Sequence, residues 1–559
     1  MQKTRESLSN RARVQMKVTL CYPALVPGKK PTYGLQPLGV LYIGALLKRE
    51  GFDVQVLDAE IEGLTVQETA RRILDTEPDL VGFSMMTPQL LTGLATSVLL
   101  KQERPELPIV MGGAHVDSTK GDVFEMQEGH GDSFDFAVHG EGEYTLAEIC
   151  HNMVRLGSDA PEKYCEGVQN AIYRDPSGTV VTNPPRAFNG QLDDLPSVDF
   201  DMLDVQKYSI PSMPGRHVLS MMLSRGCPFK CTFCDAPMVM GKKIRWWSIE
   251  RIIRDLAFYK QKYGISNFSF RDSTFTANKK WTVKFCEALL DANLNIKWRI
   301  NTRASLVPPD LLPLMAKAGC YTINFGVESG HPDILKRIKK EVALDSVIDA
   351  FERCRKLGIR TYATFMMGNP GETDETALAT LEFSKKIRPA LAMFFVSTAY
   401  PGTPMYFEGL EEGTVKDRWW AKQHWDPTKN SAFQVRWGWT DAGALDIPKF
   451  NAEYWQQRAT REWYLRPRFI WDTITFTIMN PHFLRHIWNL SGEILPFYKL
   501  RNILPRRKLS IDERLEILAK CPSQPTVSHK SRPGTVDAAA AFGGDSSPSK
   551  DRALPVIEN

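Results

Sequence analysis

No run of eighteen or more uninterrupted apolar residues occurs in this sequence of 559 residues, which excludes a spanning helix of ordinary length. The first fifteen residues, MQKTRESLSNRARVQ, contain no apolar segment, so no secretory signal is expected and cytoplasmic residence is the default. Charge of either sign is scarcely in excess. A net +5 over so long a chain demands no nucleic-acid partner. Two nucleotide signatures are missing, the G-x-G-x-x-G turn after a first strand and the Walker lysine motif, and their absence weakens the case for the common nucleotides. No short-period repeat is present. Seven of the ten cysteines (Cys21, Cys150, Cys165, Cys286, Cys320, Cys354 and Cys521) stand singly. In a reducing compartment these read as small buried side chains or surface thiols, not as a disulfide framework.

What is present is a globular composition, 43% apolar and 24% charged, on a chain long enough for two or three domains. After a polar tail over 1–15, strand and helix alternate from 16 to 155. VTLCYPAL, FDVQVLDA, LVGFSMM, PIVMGGAH and FDFAVHGEGE read as strands. PLGVLYIGALLKREG reads as a helix with a glycine stop, and Thr65 with Glu68 opens another through a capping box. The pattern predicts an α/β domain, a doubly wound parallel sheet whose ligand lies at the carboxyl ends of the strands. Ser84, Thr87, Gly112, Gly113, His115, Gly140 and Glu141 fall there. Glycine at such ends lets a backbone approach a large ligand closely.

Residues 156–215 are rich in Pro, Gly and Asp and read mainly as a linker, with room for a short hairpin. From 216 to 440 a second alternation begins. HVLSMMLS, NFSFRD, KWRINTR, TINFGVES, RTYATFMMG and MFFVSTA are its strands, which predicts a partial (β/α)6 barrel of the TIM type. Residues 441–520 are aromatic, basic and helical in pattern, and 521–559 are too poor in bulky apolar residues to fold.

One loop is unlike the rest. RGCPFKCTFCDAP packs Cys227, Cys231 and Cys234 into eight residues, and no second cysteine pair follows. Structural zinc is closed by four ligands, commonly as two such pairs, so His217, Asp235 or a distant cysteine would have to be improvised as the fourth. A four-iron cluster held by three thiolates instead leaves one iron open to a small chelating ligand.

The spacing C-x3-C-x2-C, with Phe233 just before the third cysteine, resembles the signature of the radical S-adenosylmethionine (SAM) enzymes. FRDSTFTAN, WRINTRASL, GCYTINFGVESG, FMMGNPGET and YPGTPMY resemble later strand ends of that family, in order. The resemblance implies a [4Fe-4S] cluster on Cys227, Cys231 and Cys234 whose open iron binds SAM. One electron then cleaves SAM to methionine and a 5′-deoxyadenosyl radical. Arg303 suits the SAM carboxylate. Glu328 and Ser329 suit the ribose hydroxyls or amino group, and Asp272 and Ser273 are read at the equivalent place one strand earlier. The bland alternative for Asp272, Ser273 and Ser329 is helix capping.

PLGVLYIGALLKREGFDV, LVGFSMMTP, IVMGGAHVD and VHGEGEYTLAEI together resemble the cobalamin-binding domain that precedes many such barrels. The loop after the first strand, CYPALVPGKK, has no histidine, so no protein imidazole is expected on cobalt. DAEIEG, with Glu60 where that motif has histidine, follows the second strand and is a chance likeness. His115 and His139 are then partners of corrin side chains or ordinary turn residues.

The pair of cofactors implies methyl transfer to an unactivated carbon of a small or lipophilic substrate, with one SAM methylating cobalamin and a second supplying the radical. An external electron donor of the flavodoxin or ferredoxin type is implied. The architecture equally resembles the anaerobic magnesium-protoporphyrin monomethyl ester cyclases, whose outcome is oxidation or cyclisation. A cobalamin and iron–sulfur sensor without catalysis would leave the polar strand ends of the barrel idle. The segment RPRFIWDTITFTIMNPHFLRHIWNL reads either as a helical cap on the barrel or as a peripheral membrane or apolar-substrate contact.

Overall fold

The computed structural model describes residues 16–31, 34–125, 132–157, 161–210, 213–215, 217–421 and 443–479. The polar tail over 1–15 and the unfolded tail expected over 521–559 lie outside them.

Strands β1 (Lys17–Tyr22), β2 (Asp53–Asp58), β3 (Leu80–Ser84), β4 (Ile109–Gly112) and β5 (Phe136–Val138) are parallel, in the order β2-β1-β3-β4-β5. All five coincide with the apolar runs read from the sequence. Thr65 and Glu68 form the expected capping box, each side chain accepting from the other's backbone N–H, at 3.1 and 2.9 Å. The stretch read mainly as linker is more ordered than that. Its hairpin, β6 (Ala171–Arg174) and β7 (Val180–Thr182), extends the sheet antiparallel from β5. Its apolar residues were too few and too scattered to reveal strands whose burial comes from an existing sheet edge.

The second sheet contains β8 (Leu219–Met221), β11 (Asn267–Phe270), β12 (Lys297–Thr302), β13 (Cys320–Glu328), β14 (Arg360–Met367) and β15 (Leu391–Val396), all parallel and in chain order. This is the expected open six-stranded barrel. Between β8 and β11 a two-stranded antiparallel ribbon, β9 (Ser224–Arg225) and β10 (Arg245–Trp246), brackets the cysteine loop. Helices Ala452–Tyr464 and Pro467–Met479 continue the chain, and the first buries Trp455 and Trp463 in the barrel core.

The two sheets share that core. Leu41 and Tyr42, from the helix Leu38–Arg49 of the first sheet, are buried with Trp247, Leu256 and Tyr259 of the barrel. Apolar contact of this kind sets the carboxyl ends of the first sheet beside the cysteine loop of the second.

Candidate functional site

In the first sheet the chain runs from β1 outward to β2, then returns to the other side of β1 as β3. The crevice at that reversal is where open α/β sheets take ligands. A cavity of about 320 Å³ opens there. Ser84, Gly112, Gly113, Gly140 and Glu141 line it, as do Met222, Arg225, Val239 and Met240 from the segments flanking the cysteine loop. The glycines make the room. A Cβ at Gly39 would meet nothing nearer than Ser84 Oγ at 3.7 Å, and one at Gly112 nothing nearer than the Val138 carbonyl at 3.4 Å, so both would stand in open cavity. Gly113 is different: its φ of +96° and the Met85 backbone 2.7 Å from a would-be Cβ require glycine. An apolar, glycine-walled cradle of this kind fits a large flat cofactor such as a corrinoid.

Thr87 and His115 stand behind the cradle. Thr87 Oγ1 is 3.1 Å from His115 Nδ1, the His115 ring meets Trp420 edge-on, and burial pushes its imidazole down to about 3. His139 lies near Lys120, with Nδ1 to Nζ at 3.2 Å, and burial and that ammonium hold it down to about 4. Both histidines are therefore neutral, and each leaves a buried Nε2 without a partner. Asp117, not singled out from the sequence, lines the cavity and accepts from Gly140 N, and burial pushes its carboxyl up to about 7.

Glu141 and Glu143 do something the sequence did not reveal. Arg225, two residues before Cys227, donates to Glu141 at 3.0 Å and to Glu143 at 2.6 Å, and Arg245 lies 2.8 Å from Glu141. All four side chains are nearly buried. Burial disfavours the Arg225 charge, but the Glu143 and Glu141 carboxylates outweigh it and hold the guanidinium above its ordinary range. The network ties the end of the first sheet to both strands of the ribbon. Its partners are more than eighty residues apart, so no local spacing announces it.

In the cysteine loop Gly226 has φ +108° and would bring a Cβ within 2.3 Å of the Lys243 carbonyl, so the ribbon closes only over glycine. Cys227 N donates to the Gly241 carbonyl at 2.9 Å, and its sulfur lies 3.9 Å from Thr274 Oγ1. Arg303 Nη1 is 3.9 Å from Cys231 Sγ, and its guanidinium lies over the Phe229 ring at 4.1 Å. Burial raises the Cys231 thiol and pushes the Cys234 thiol up to about 12. Among the described residues no three His, Cys, Asp or Glu side chains are gathered to hold a single metal ion. A four-iron cluster requires a different arrangement, because each thiolate takes its own iron and the sulfurs surround a volume. The donor set fits it.

At the barrel strand ends, Arg303 leaves Nε and Nη2 buried without a partner, donors that a ligand carboxylate would satisfy. Glu328 closes β13 with φ +68° at a register shift against β14, a strained conformation for a non-glycine residue. Lys340, missed in the sequence, pairs with it at 2.9 Å and lies 5.8 Å from the Phe233 ring. Asp272 accepts from Leu223 N and Ser224 Oγ at 3.2 and 2.5 Å, bracing the approach to the ribbon, and burial pushes it up to about 6. It caps no helix. Ser273 Oγ is 3.7 Å from Met240 Sδ. Ser329 is engaged locally, with His331 N donating to its oxygen at 3.1 Å and Thr380 Oγ1 at the same distance.

Comparison with known proteins decides the family. Residues 221–384 match the radical SAM superfamily and residues 26–150 the B12 binding domain. An uncharacterized methyltransferase of Pyrococcus horikoshii is 31% identical over 73% of this chain and 86% of its own length. The chain belongs to the cobalamin-binding radical SAM family. The anaerobic magnesium-protoporphyrin IX monomethyl ester cyclase of Rubrivivax gelatinosus is 27% identical over 70% of each chain. The cobalamin-dependent S-adenosylmethionine radical enzyme OxsB, with aqua-cobalamin and S-adenosylmethionine bound, shares the fold at 18% identity and a TM-score of 0.62, over 90% of this chain and 75% of that one. This radical SAM protein is accordingly an enzyme whose cofactors are a [4Fe-4S] cluster, SAM and cobalamin. It acts on a small molecule and draws on a reductant. No helix among the described residues is long and apolar enough to cross a membrane.

Proposed function

We propose that this radical SAM enzyme transfers a methyl group to an unactivated carbon of a small or lipophilic molecule. The observation that carries the reading is one cavity lined both by the glycine-rich strand ends of the first sheet and by the segments flanking the cysteine loop. The bound cofactors supply the radical and the methyl group; the protein supplies position and exclusion of water.

Cys227, Cys231 and Cys234 hold the cluster, with Phe233 packed beside it. Arg303 takes the SAM carboxylate with its unpartnered donors, and Glu328, held by Lys340, accepts from ribose hydroxyls or the amino group. Asp272 and Ser273 brace the ribbon side of the same pocket, and Ser329 positions the turn after Glu328. Gly112, Gly113, Gly140 and Ser84 cradle the corrinoid, while Thr87 and His115 support it from behind. Glu141 acts through Arg225 and Arg245 to keep the two cofactors facing each other. The electron comes from an external donor of the flavodoxin or ferredoxin type.

Product mass after anaerobic turnover tests the reading: a gain of about fourteen daltons, one methyl group in place of hydrogen, is expected. The similarity to the ester cyclase favours a second outcome, loss of hydrogen or gain of oxygen, and that result would replace methylation. A peripheral membrane contact is a further part of the proposal. The helix Pro467–Met479 exposes Trp471 and Ile478 at 67% and 73%, with Ile470 and Ile474 beside them and Arg468 on the same helix. Flotation with anionic liposomes tests it, and equal recovery with and without residues beyond Arg466 removes the membrane from the scheme.

A further inference from the structure

A second cavity, of about 380 Å³, adjoins the first and shares Gly39, Val40, Ser84, Met86, Met222 and Met240 with it. It lies toward the β1 and β2 ends, walled by Tyr22, Asp58 and Glu60, and the barrel contributes Arg271. Arg271 follows β11 directly. Phe268 and Phe270 bury toward the barrel's helices, so strand alternation sends Arg271 the other way. Its backbone N–H is fixed by the Met221 carbonyl at 2.8 Å. Its guanidinium has no hydrogen-bond or ion-pair partner among the described residues. The side chain is exposed to the cavity it lines, and the protein crowded around it disfavours its charge.

The two carboxyls in this cavity are engaged elsewhere. Asp58 accepts from Ile61 N at 3.0 Å and Tyr208 Oη at 2.7 Å, and Glu60 accepts from Leu25 N at 2.6 Å. An arginine keeps its charge at any pH of interest, so an unpaired guanidinium facing a cavity is a ready partner for an anionic group on a ligand. Three anions could enter: the SAM carboxylate, the phosphodiester of cobalamin, or a group on the substrate. None of Cys227, Cys231, Cys234, Arg303 and Glu328 lines this cavity, and Gly112, Gly113 and Gly140 line only the first, whereas Gly39 and Ser84 line both. The substrate remains.

We propose that this second cavity receives the substrate and that Arg271 binds a phosphate or carboxylate group on it, so that the methyl acceptor is an anionic small molecule. The inference rests on the cofactor placement proposed above. The test uses anaerobically reconstituted enzyme carrying cluster and cobalamin, titrated calorimetrically with n-butyl phosphate and n-hexanoate and with the corresponding alcohols. Wild-type protein should bind at least one of the two anions about ten- to a hundredfold more tightly than its alcohol. That preference should vanish in Arg271→Gln and survive in part in Arg271→Lys. Because Arg271 makes no side-chain hydrogen bond among the described residues, neither change removes one of those. Equal binding of each anion and its alcohol by wild-type protein would overturn the proposal. So would a tenfold loss in Arg271→Gln of affinity for SAM, or for cobalamin relative to cobinamide, which lacks the nucleotide tail, because either assigns Arg271 to a cofactor. Failure of the underlying cofactor placement is read separately, as wild-type protein that takes up no corrinoid before any probe is added.

Discussion

Replacing Arg225 with leucine should expose how the two sheets are held together. Arg225 bridges Glu141 and Glu143 while its guanidinium lies 5.2 Å from the Tyr42 ring and 5.5 Å from that of Trp247. Leucine keeps an apolar body against those rings but removes the charge. Glu141 retains Arg245; Glu143, 6% exposed at its side chain, retains no cation among the described residues. Stranding a buried charge costs about 3–5 kcal/mol, roughly two to three and a half orders of magnitude in the folding constant. Urea unfolding of the apoprotein, followed by tryptophan fluorescence at pH 7, should register that loss. Adding Glu143→Leu removes the stranded group itself, so the double variant should return to within about 1 kcal/mol of wild type. A single-variant loss below about 1 kcal/mol, the range of exposed pairs, would refute the reasoning. So would a loss undiminished in the double variant.

Replacing Cys227, Cys231 and Cys234 together with alanine should abolish bound iron and sulfide while corrinoid uptake persists, checked by metal, sulfide and absorbance measurements; zinc in place of iron in the parent protein would reject the cluster. Gly39→Ala should lower corrinoid retention without lowering the apoprotein's melting temperature, because the added Cβ meets only cavity and a helical alanine is favoured by up to about 1 kcal/mol over glycine. Burial holds Asp117 and Glu372 up to about 7 and Asp58 and Asp272 up to about 6. Against unfolded values of about 4, these groups bind more protons in the folded state, so their contribution is largest at low pH and is lost as pH rises from about 4 toward 7. Asp117→Asn should flatten that part of the apoprotein's thermal stability profile, measured by calorimetry between pH 5 and 8.

Much of this molecule is legible in one dimension. Apolar runs such as LVGFSMM and RTYATFMMG are long enough, and bounded sharply enough, to fix where parallel strands fall. Thr65 with Glu68, and Ser248 with Gly264, mark helix ends, because capping is local chemistry between residues a few positions apart. The cysteine loop is legible for the same reason: Cys227, Cys231 and Cys234 must share one turn of chain to grip one cluster, so their spacing is itself the geometry. Tertiary structure alone settles the rest. The hairpin β6–β7 exists because β5 offers it an edge. Glu141 meets Arg225 across more than eighty residues, and Lys340 meets Glu328 because the chain turns back after the short helix Pro332–Arg337. Arg271 sits in the strand-end stretch FRDSTFTAN, but only the fold places it on a cavity shared by the two sheets, whose carboxyls Asp58 and Glu60 are engaged elsewhere. Covalent neighbours and caps interact over distances the sequence itself sets, whereas the pairing of distant charges and the opening of a cavity depend on how two sheets come to share a core.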